Sequence, residues 1–181
     1  GRRRFLRAAG SLPAASFLTG PAHGERADRP PRIKIGQIGV GHPHAGKLSV
    51  YRSSDDYEVV GIVEPDATLR EKHAGDEPFR GLPWMTRDEL FGTPGLQAIL
   101  VETHVRDLLA AAQACVERGL YVHLDKPAGA SLPQFARLLE SASRKGVWIQ
   151  MGYMFRYNPA VGLLRDVLAK GWLGEVFEVH G

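Results

Sequence analysis

The stretch GVGHPHAGKL, residues 39–48, contains residue types that suit three kinds of chemistry. From Gly41 it spells G-x-x-x-x-G-K, which resembles the loop that holds nucleoside triphosphates. Gly39 opens G-x-G, the start of a turn that holds the pyrophosphate of a dinucleotide. His42 and His44 could supply two ligands to a metal ion. Residues outside this stretch must distinguish the three.

The triphosphate interpretation fails at one position. Such a loop requires Ser or Thr directly after its lysine, because that hydroxyl binds Mg²⁺. Leu48 occupies the position, and Ser49 comes one residue too late. The sequence therefore disfavours a triphosphate site.

A metal site needs a third ligand, and the sequence places none beside His42 and His44. His104 and His123 qualify only if the fold brings them close. The sequence thus argues against a metal, and His42 and His44 are predicted to line the phosphates of a cofactor.

The dinucleotide interpretation requires a strand before the turn, a helix after it and an acid about 20 residues on. The apolar run at residues 33–40 predicts the strand, and residues 44–52 predict the helix. Glu64 ends the next predicted strand, and its carboxylate can accept both ribose hydroxyls of NAD while repelling the extra phosphate of NADP. Because His44 replaces the usual third glycine, the helix is expected to start slightly displaced.

Short apolar strands alternate with helical segments along the chain. Strands are predicted at residues 33–40, 57–63, 96–102, 121–124 and 147–152, and helices at 44–52, 66–73, 87–91, 105–118 and 131–145. This alternation predicts an α/β fold, a doubly wound parallel sheet of Rossmann type covered on both faces. Because ligands of such sheets bind at the carboxyl ends of the strands, the polar residues there are candidate site residues.

The segment YVHLDKPAGASL, residues 121–132, follows a predicted helix and contains a predicted strand. A buried lysine beside a carboxylate, as Lys126 is beside Asp125, can be held charged or have its pKa lowered for proton transfer. Pro127 fixes the turn, in either the cis or the trans form. The alternative is that Lys126 is an ordinary surface lysine in a loop.

Together with GYMFRYNPAV, residues 152–161, this segment resembles the glucose–fructose oxidoreductase and inositol dehydrogenase family (Gfo/Idh/MocA). The resemblance covers about residues 32–181 and includes the glycine turn and the acid Glu64. D-K-P stands where the family usually has E-K-P. The resemblance implies a Rossmann domain, a bound nicotinamide cofactor, and hydride transfer to or from a carbon that bears a sugar or polyol hydroxyl.

By this resemblance Lys126 is the catalytic residue that touches substrate and nicotinamide, and Pro127 shapes its loop. Tyr153 and Arg156 are implied to lie at a domain junction, near the substrate. The implied or predicted cofactor-binding residues are Gly39, Gly41, His42, His44, Glu64, Thr103, His104, Asp125 and Pro127.

Residues 1–24 have the form of a twin-arginine export signal, with a basic start, a modest apolar stretch and small residues after it. We therefore expect export to the periplasm or another extracytoplasmic place; a disordered basic tail is the alternative. This segment holds four of the 23 Lys and Arg residues and none of the 20 acidic ones, so the rest of the chain is nearly neutral. A nearly neutral body excludes a nucleic-acid footprint, and no segment is apolar enough to predict a membrane partner.

The remaining chain divides into three predicted parts. Residues 25–31 form a Pro-rich linker, 32–152 the Rossmann domain, and 153–181 the truncated start of a second α+β domain. Within this last part a helix is predicted at 159–170 and a strand at 176–180. The resemblance implies that the second domain supplies the usual catalytic His and Asp and much of a dimer surface. We therefore expect a homo-oligomeric full-length form, and a chain that here lacks part of the catalytic site.

The sequence predicts an oxidoreductase that uses NAD, with NADP less favoured, and acts on a sugar, polyol or related hydroxyl compound. Two alternatives stay open: an NAD-dependent glycosidase of the same family, and a non-catalytic dinucleotide-binding fragment. The single cysteine, Cys115, excludes an intrachain disulfide and is predicted to be a small core residue rather than a nucleophile.

Overall fold

The computed structural model describes residues 30–180. The export signal predicted for residues 1–24 and residues 25–29 of the predicted linker lie outside this range. From Pro31 onward the chain forms one compact unit. Among the described helices, none combines the length and the apolar character that a membrane crossing requires.

Within the described residues, five parallel strands form a sheet in the order β2-β1-β3-β4-β5. The strands are β1 Ile33–Ile38, β2 Tyr57–Val63, β3 Leu96–Val101, β4 Tyr121–Leu124 and β5 Ile149–Met151. Ile38 lies beside both Val63 and Val101, so β1, β2 and β3 end at the same edge. Because β2 and β3 lie on opposite sides of β1, the carboxyl end of β1 is the point at which such sheets bind ligands. The predicted parallel α/β fold is confirmed.

Helices lie between these strands, and a final helix follows the last of them. They are α1 Leu48–Ser53, α2 Ala67–His73, α3 Arg87–Phe91, α4 Leu108–Glu117, α5 Leu132–Lys145 and α6 Pro159–Ala169. The Asp66 carboxylate accepts backbone hydrogen bonds from Thr68 and Leu69 and so caps α2, as the sequence predicts. Several elements are shorter than predicted: β1 ends at Ile38, β5 begins at Ile149 and α4 begins at Leu108.

Apolar side chains cover both faces of the sheet, and β3 shows how they alternate. Ile99 and Val101 belong to a buried cluster that also contains the inward face of α4. Leu100, between them, belongs to a second cluster with Leu48 of α1 and Phe79. Alternate residues of one strand therefore anchor helices on opposite faces, which is the packing that a doubly wound sheet requires.

Cys115 on α4 is fully buried, which confirms its predicted place in the core. Burial raises the pKa of its thiol to about 12, so almost none is present as the reactive thiolate.

We expect Ellman's reagent to modify Cys115 in the folded chain at least about 100-fold more slowly than in the urea-unfolded chain. The double variant Cys115→Ala, Ser143→Cys moves the thiol to an exposed position of α5 and should react quickly while folded. Equal rates for the two folded proteins would contradict the buried placement.

The segment after β5 differs in part from prediction. Helix α6 forms, but its apolar residues Leu163, Leu164 and Leu168 are between 40% and 63% exposed. The strand predicted at residues 176–180 is wrong, since these residues form no strand in the structure. A strand needs a neighbour to pair with its backbone groups, and the described chain offers none there. The assignment of residues 153–181 to a second domain stays a prediction.

Candidate functional site

The glycine turn follows β1 and lies directly against the end of β3. Gly39 has a φ of +92°, and a Cβ there would lie 2.5 Å from the Thr103 backbone nitrogen. A Cβ on Gly41 would lie 3.0 Å from the His104 ring. A side chain at Gly39 would collide with the backbone at the end of β3, and residues other than glycine rarely adopt a φ of +92°. The turn therefore brings four of the predicted cofactor-binding residues together.

After the turn the chain does not enter an α-helix at once. His44 is followed by a 3₁₀ turn at Ala45–Lys47, and α1 begins only at Leu48. This is the displaced helix start that the missing third glycine predicts. The 3₁₀ turn carries Lys47 to the interior of the site.

Glu64 at the end of β2 is buried and holds the glycine turn in place. Its Oε2 accepts a hydrogen bond from the Val40 N–H at 2.9 Å, and its Oε1 accepts one from the Asp66 N–H at 3.0 Å. Each oxygen keeps a second lone pair that a ribose hydroxyl could use. Glu64 also lines a cavity of about 590 Å³, with Arg70 and Arg87 on the same wall. The sequence did not predict the structural contacts, and the ribose contact stays a prediction.

A group of buried and partly buried ionisable side chains lies at this edge of the sheet. We call it the charged cluster; its members are His42, His44, Lys47, Glu102, His123 and Asp125. Glu102 and Asp125 follow β3 and β4 and are fully buried. Lys47 and Glu102 were not predicted from the sequence, although Glu102 ends a predicted strand and Lys47 follows His44 by three residues, close to one helical turn.

The Lys47 ammonium holds the charged cluster together. It lies 2.8 Å from Glu102 Oε1 and 2.8 Å from His123 Nε2, and it donates a hydrogen bond to Asp125 Oδ2. Asp125 Oδ1 also accepts the backbone N–H of Lys126 at 2.6 Å. One ammonium thus faces two buried carboxylates.

Burial and these contacts move the pKa values in different directions. Burial acts to raise the pKa of Asp125, but hydrogen bonds from Lys47, the Lys126 N–H and His44 outweigh it and hold this pKa well below its usual range. For Glu102 burial dominates over the attraction of Lys47 and raises the pKa to about 7. Burial and the nearby Lys47 lower the pKa of His123 to about 4, so its ring is neutral at physiological pH.

The two histidines of the glycine turn lie in different surroundings. The His42 side chain is only 4% exposed and lies against Glu102 and Asp125, so it has little surface to offer a phosphate. It does border, with Gly41, the cavity over the glycine turn, so its predicted phosphate contact stays a prediction. His44 is 28% exposed in its side chain, lies 3.2 Å from Asp125 Oδ1, and lines a cavity of about 470 Å³ together with Tyr153.

Lys126, the predicted catalytic residue, is exposed at the end of β4. Its backbone is fixed on both sides, because its N–H binds Asp125 and its carbonyl oxygen lies 3.1 Å from His42 Nε2. The peptide bond to Pro127 is cis. The lysine therefore stands on a rigid base with its side chain toward solvent. Both the predicted catalytic role and the surface-lysine alternative are compatible with this exposure.

Of the two predicted substrate residues, Tyr153 lines a cavity of the site and Arg156 does not. Tyr153 is 55% exposed and lines the same cavity as His44. Arg156 is exposed, and its guanidinium lies 6.0 Å from the centre of the Tyr157 ring. Arg156 does not line that cavity, so the structure joins only Tyr153 to the site.

A family model described as an oxidoreductase family with an NAD-binding Rossmann fold, GFO_IDH_MocA, matches residues 33–153, more than half of the chain. The chain belongs to the Gfo/Idh/MocA family. The match confirms the predicted family and identifies residues 33–153 as a Rossmann domain of the NAD-binding type.

Individual relatives agree with this assignment. Inositol 2-dehydrogenase 1 of Saccharopolyspora erythraea is 32% identical over 154 residues, which are 82% of this chain and 44% of that protein. The rhizopine catabolism protein MocA of Rhizobium meliloti is 24% identical over 149 residues, 82% of this chain and 46% of that protein. The solved structure of KijD10, a 3-ketoreductase from Actinomadura kijaniata in complex with NADP, has a TM-score of 0.69 at 23% identity, over 80% of this chain and 46% of that one. The chain thus spans less than half the length of these relatives.

Proposed function

We propose that this chain is the cofactor-binding part of an NAD-dependent oxidoreductase that acts on a sugar, polyol or related hydroxyl compound. The glycine turn carries the proposal. It lies at the carboxyl end of β1, where the sheet order reverses, and Gly39 approaches Thr103 too closely for any side chain. The names of the inositol 2-dehydrogenase relatives support a polyol as substrate.

The cavities along the carboxyl edge supply room for an extended dinucleotide. Glu64 borders the cavity of about 590 Å³ beside β2, where the adenosine ribose would bind. Gly41 and His104 border a cavity of about 430 Å³ over the glycine turn, where the pyrophosphate would bind. Lys126, at the end of β4, is on the far side of the turn and would face the nicotinamide. This order along the edge is the one in which a Rossmann sheet holds its cofactor.

Proton transfer is the part of the chemistry that this chain's own residues can supply. The nicotinamide ring accepts or donates the hydride when the cofactor is bound. The Lys126 ammonium, held on its rigid base, can exchange a proton with the substrate hydroxyl. The half-exposed Tyr153 borders the cavity in which a polyol would lie. Residues 153–181 are proposed to begin the substrate domain, which would complete the catalytic site and the oligomer, and the enzyme is proposed to be exported.

The preference for NAD depends on Glu64. Its carboxylate would repel the 2′-phosphate of NADP, whereas Arg70 on the same cavity wall would attract it. We expect calorimetry to show tighter binding of NAD than of NADP to the chain. Glu64→Gln should weaken NAD binding about 10-fold and leave NADP binding unchanged or stronger, because the amide loses the charge. Its single oxygen can keep only one of the two backbone hydrogen bonds, so thermal unfolding must verify that the variant is folded.

Asp88→Asn is the matched control, since Asp88 is an exposed carboxylate on the wall of the same cavity. It should change neither affinity. Equal weakening of NAD and NADP by Glu64→Gln would contradict the discriminating role, and absence of binding of either cofactor to the unaltered chain would overturn the proposed function. A scan of sugars and polyols for NADH absorbance then separates the enzymatic proposal from a fragment that binds without turnover.

A further inference from the structure

The charged cluster fixes the protonation of His42. Its Nε2 lies 3.1 Å from the Lys126 carbonyl oxygen, which can only accept a hydrogen bond, so this nitrogen carries a proton. The backbone N–H of His44 donates to His42 Nδ1 at 3.2 Å, so Nδ1 presents a lone pair. The hydrogen bonds therefore select the tautomer in which Nδ1 is the electron-pair donor of the ring. Its single lone pair accepts the long hydrogen bond from His44, which a metal ion at Nδ1 would replace.

This lone pair lies against carboxylate oxygens that also donate electron pairs. His42 Nδ1 is 3.4 Å from Glu102 Oε2 and 3.6 Å from Asp125 Oδ2. Glu102 Oε2 is fully buried and has no hydrogen-bond partner among the described residues. Groups of this kind are costly to bury together unless a proton or a metal cation lies between them.

The spacing matches the coordination shell of a small divalent ion. Nitrogen and oxygen ligands about 2.0–2.2 Å from a tetrahedral Zn²⁺ are roughly 3.3–3.6 Å from one another. The distances from His42 Nδ1 fall in or near this range, and His44 Nδ1 lies 3.2 Å from Asp125 Oδ1. Ligand atoms of His42, His44 and Asp125 all lie within 4.8 Å of one another. The partly exposed His44 borders a cavity through which an ion could arrive.

Lys47 is a competing cation, and its position leaves the site accessible. Its ammonium contacts Glu102 Oε1 and Asp125 Oδ2. The other oxygens of the same carboxylates face the histidines: Glu102 Oε2 lies near His42 Nδ1, and Asp125 Oδ1, which also accepts the Lys126 N–H, lies near His44 Nδ1. One ammonium balances one of the two carboxylates, so one negative charge remains to attract a second cation on the histidine side.

We propose that His42, His44 and Asp125 form a binding site for a divalent transition-metal ion of the zinc class. Two imidazoles with a carboxylate suit Zn²⁺, Co²⁺ or Mn²⁺ better than Mg²⁺ or Ca²⁺. The sequence argued against a metal because it showed no third ligand, whereas the fold brings Asp125 from the end of β4 to the two histidines. An ion there would fasten the glycine turn to the loop that carries Lys126.

The test uses the 181-residue chain after removal of metals with EDTA. Co²⁺ titration followed by visible absorption should show one ion per chain with the strong bands of a site of low coordination number, and Zn²⁺ should displace it. His44→Ala should weaken Zn²⁺ binding by about 10-fold or more in calorimetry. Because the His44 side chain is partly exposed, we expect this variant to fold, and thermal unfolding without metal would verify it.

His73→Ala is the matched control, because His73 also pairs with a carboxylate, Asp76 at 2.8 Å, but on the exposed surface. It should leave Zn²⁺ affinity unchanged. Two results would overturn the proposal: no stoichiometric binding to the unaltered chain, or equal losses in the two variants, which would mark adventitious binding to surface histidines. A nitrogen NMR signal of His42 Nδ1 that does not move on Zn²⁺ addition would do so as well.

Discussion

Replacement of Lys47 by methionine should lower the free energy of unfolding by about 3–5 kcal/mol, measured by urea denaturation in the presence of EDTA. The ammonium is the cation that contacts both Glu102 and Asp125, and both carboxylates are fully buried. Methionine fills a similar volume but leaves two acids without this partner. An unpaired buried charge lowers the free energy of unfolding by more than the ion pair had raised it.

The loss of unfolding free energy in Lys47→Met should be larger at high pH than at low pH. The pKa of Glu102 in the folded chain is about 7, above the 4.5 of an unperturbed Glu side chain, so the unfolded state binds fewer protons between these values. The stability contributed by this group is therefore complete at low pH and falls as pH rises through 7. Without Lys47 the carboxylate is harder still to ionise. Lys47→Met should thus destabilise the chain less at about pH 5 than at about pH 8.

Lys126→Met is the matched control, because it removes a lysine of the same edge that is exposed. It should change the free energy of unfolding by less than about 0.5 kcal/mol. The double variant Lys47→Met, Glu102→Met should recover part of the loss, since it removes an uncompensated acid together with its partner. A loss below about 1 kcal/mol in Lys47→Met alone would show that water reaches the charged cluster.

Gly39→Ala should destabilise the chain by about 2–4 kcal/mol and weaken NAD binding at least about 10-fold. An alanine at a φ of +92° is strained, and its Cβ would meet backbone atoms of Thr103 and Glu102 at 2.5 to 2.7 Å. Backbone atoms cannot turn aside as a side chain can, so the glycine turn must move away from β3. Calorimetry with NAD and thermal unfolding measure the two effects.

Gly119→Ala separates strain from contact. Gly119 has a φ of +75°, but a Cβ there meets nothing within 4 Å. This variant should lose about 1 kcal/mol of stability from the strained φ alone and keep its affinity for NAD. If both variants bound NAD equally well, the close approach of Gly39 to β3 would have no part in cofactor binding.

Much of the architecture could be predicted because its signals are local. The alternation of apolar strands with helices requires only the side-chain periods of each element, and Asp66 caps α2 through atoms two and three residues away. The glycine turn, the acid at the end of β2 and the D-K-P segment each occupy short stretches. Such stretches specified the Rossmann fold and the family without any contact between distant residues.

The arrangement of the site could not be predicted in this way. His44 meets Asp125 across 81 positions of sequence, and Lys47 meets it across 78. These contacts exist because β1 and β4 end at one edge of the sheet with β3 between them. The sequence shows which side chains can ionise. It does not show which of them become neighbours, because that depends on the order of the strands in the sheet.

The sequence by itself therefore determined the fold, the family and the glycine turn. Only the tertiary structure decided that Glu64 binds the backbone of that turn, that His42 lies inside the protein, and that Lys47 is enclosed with two acids. It also decided that residues 176–180 form no strand, because pairing requires a neighbour. The physical reason is the same in each case: hydrogen bonding, burial and ion pairing depend on groups that the fold brings from far along the chain.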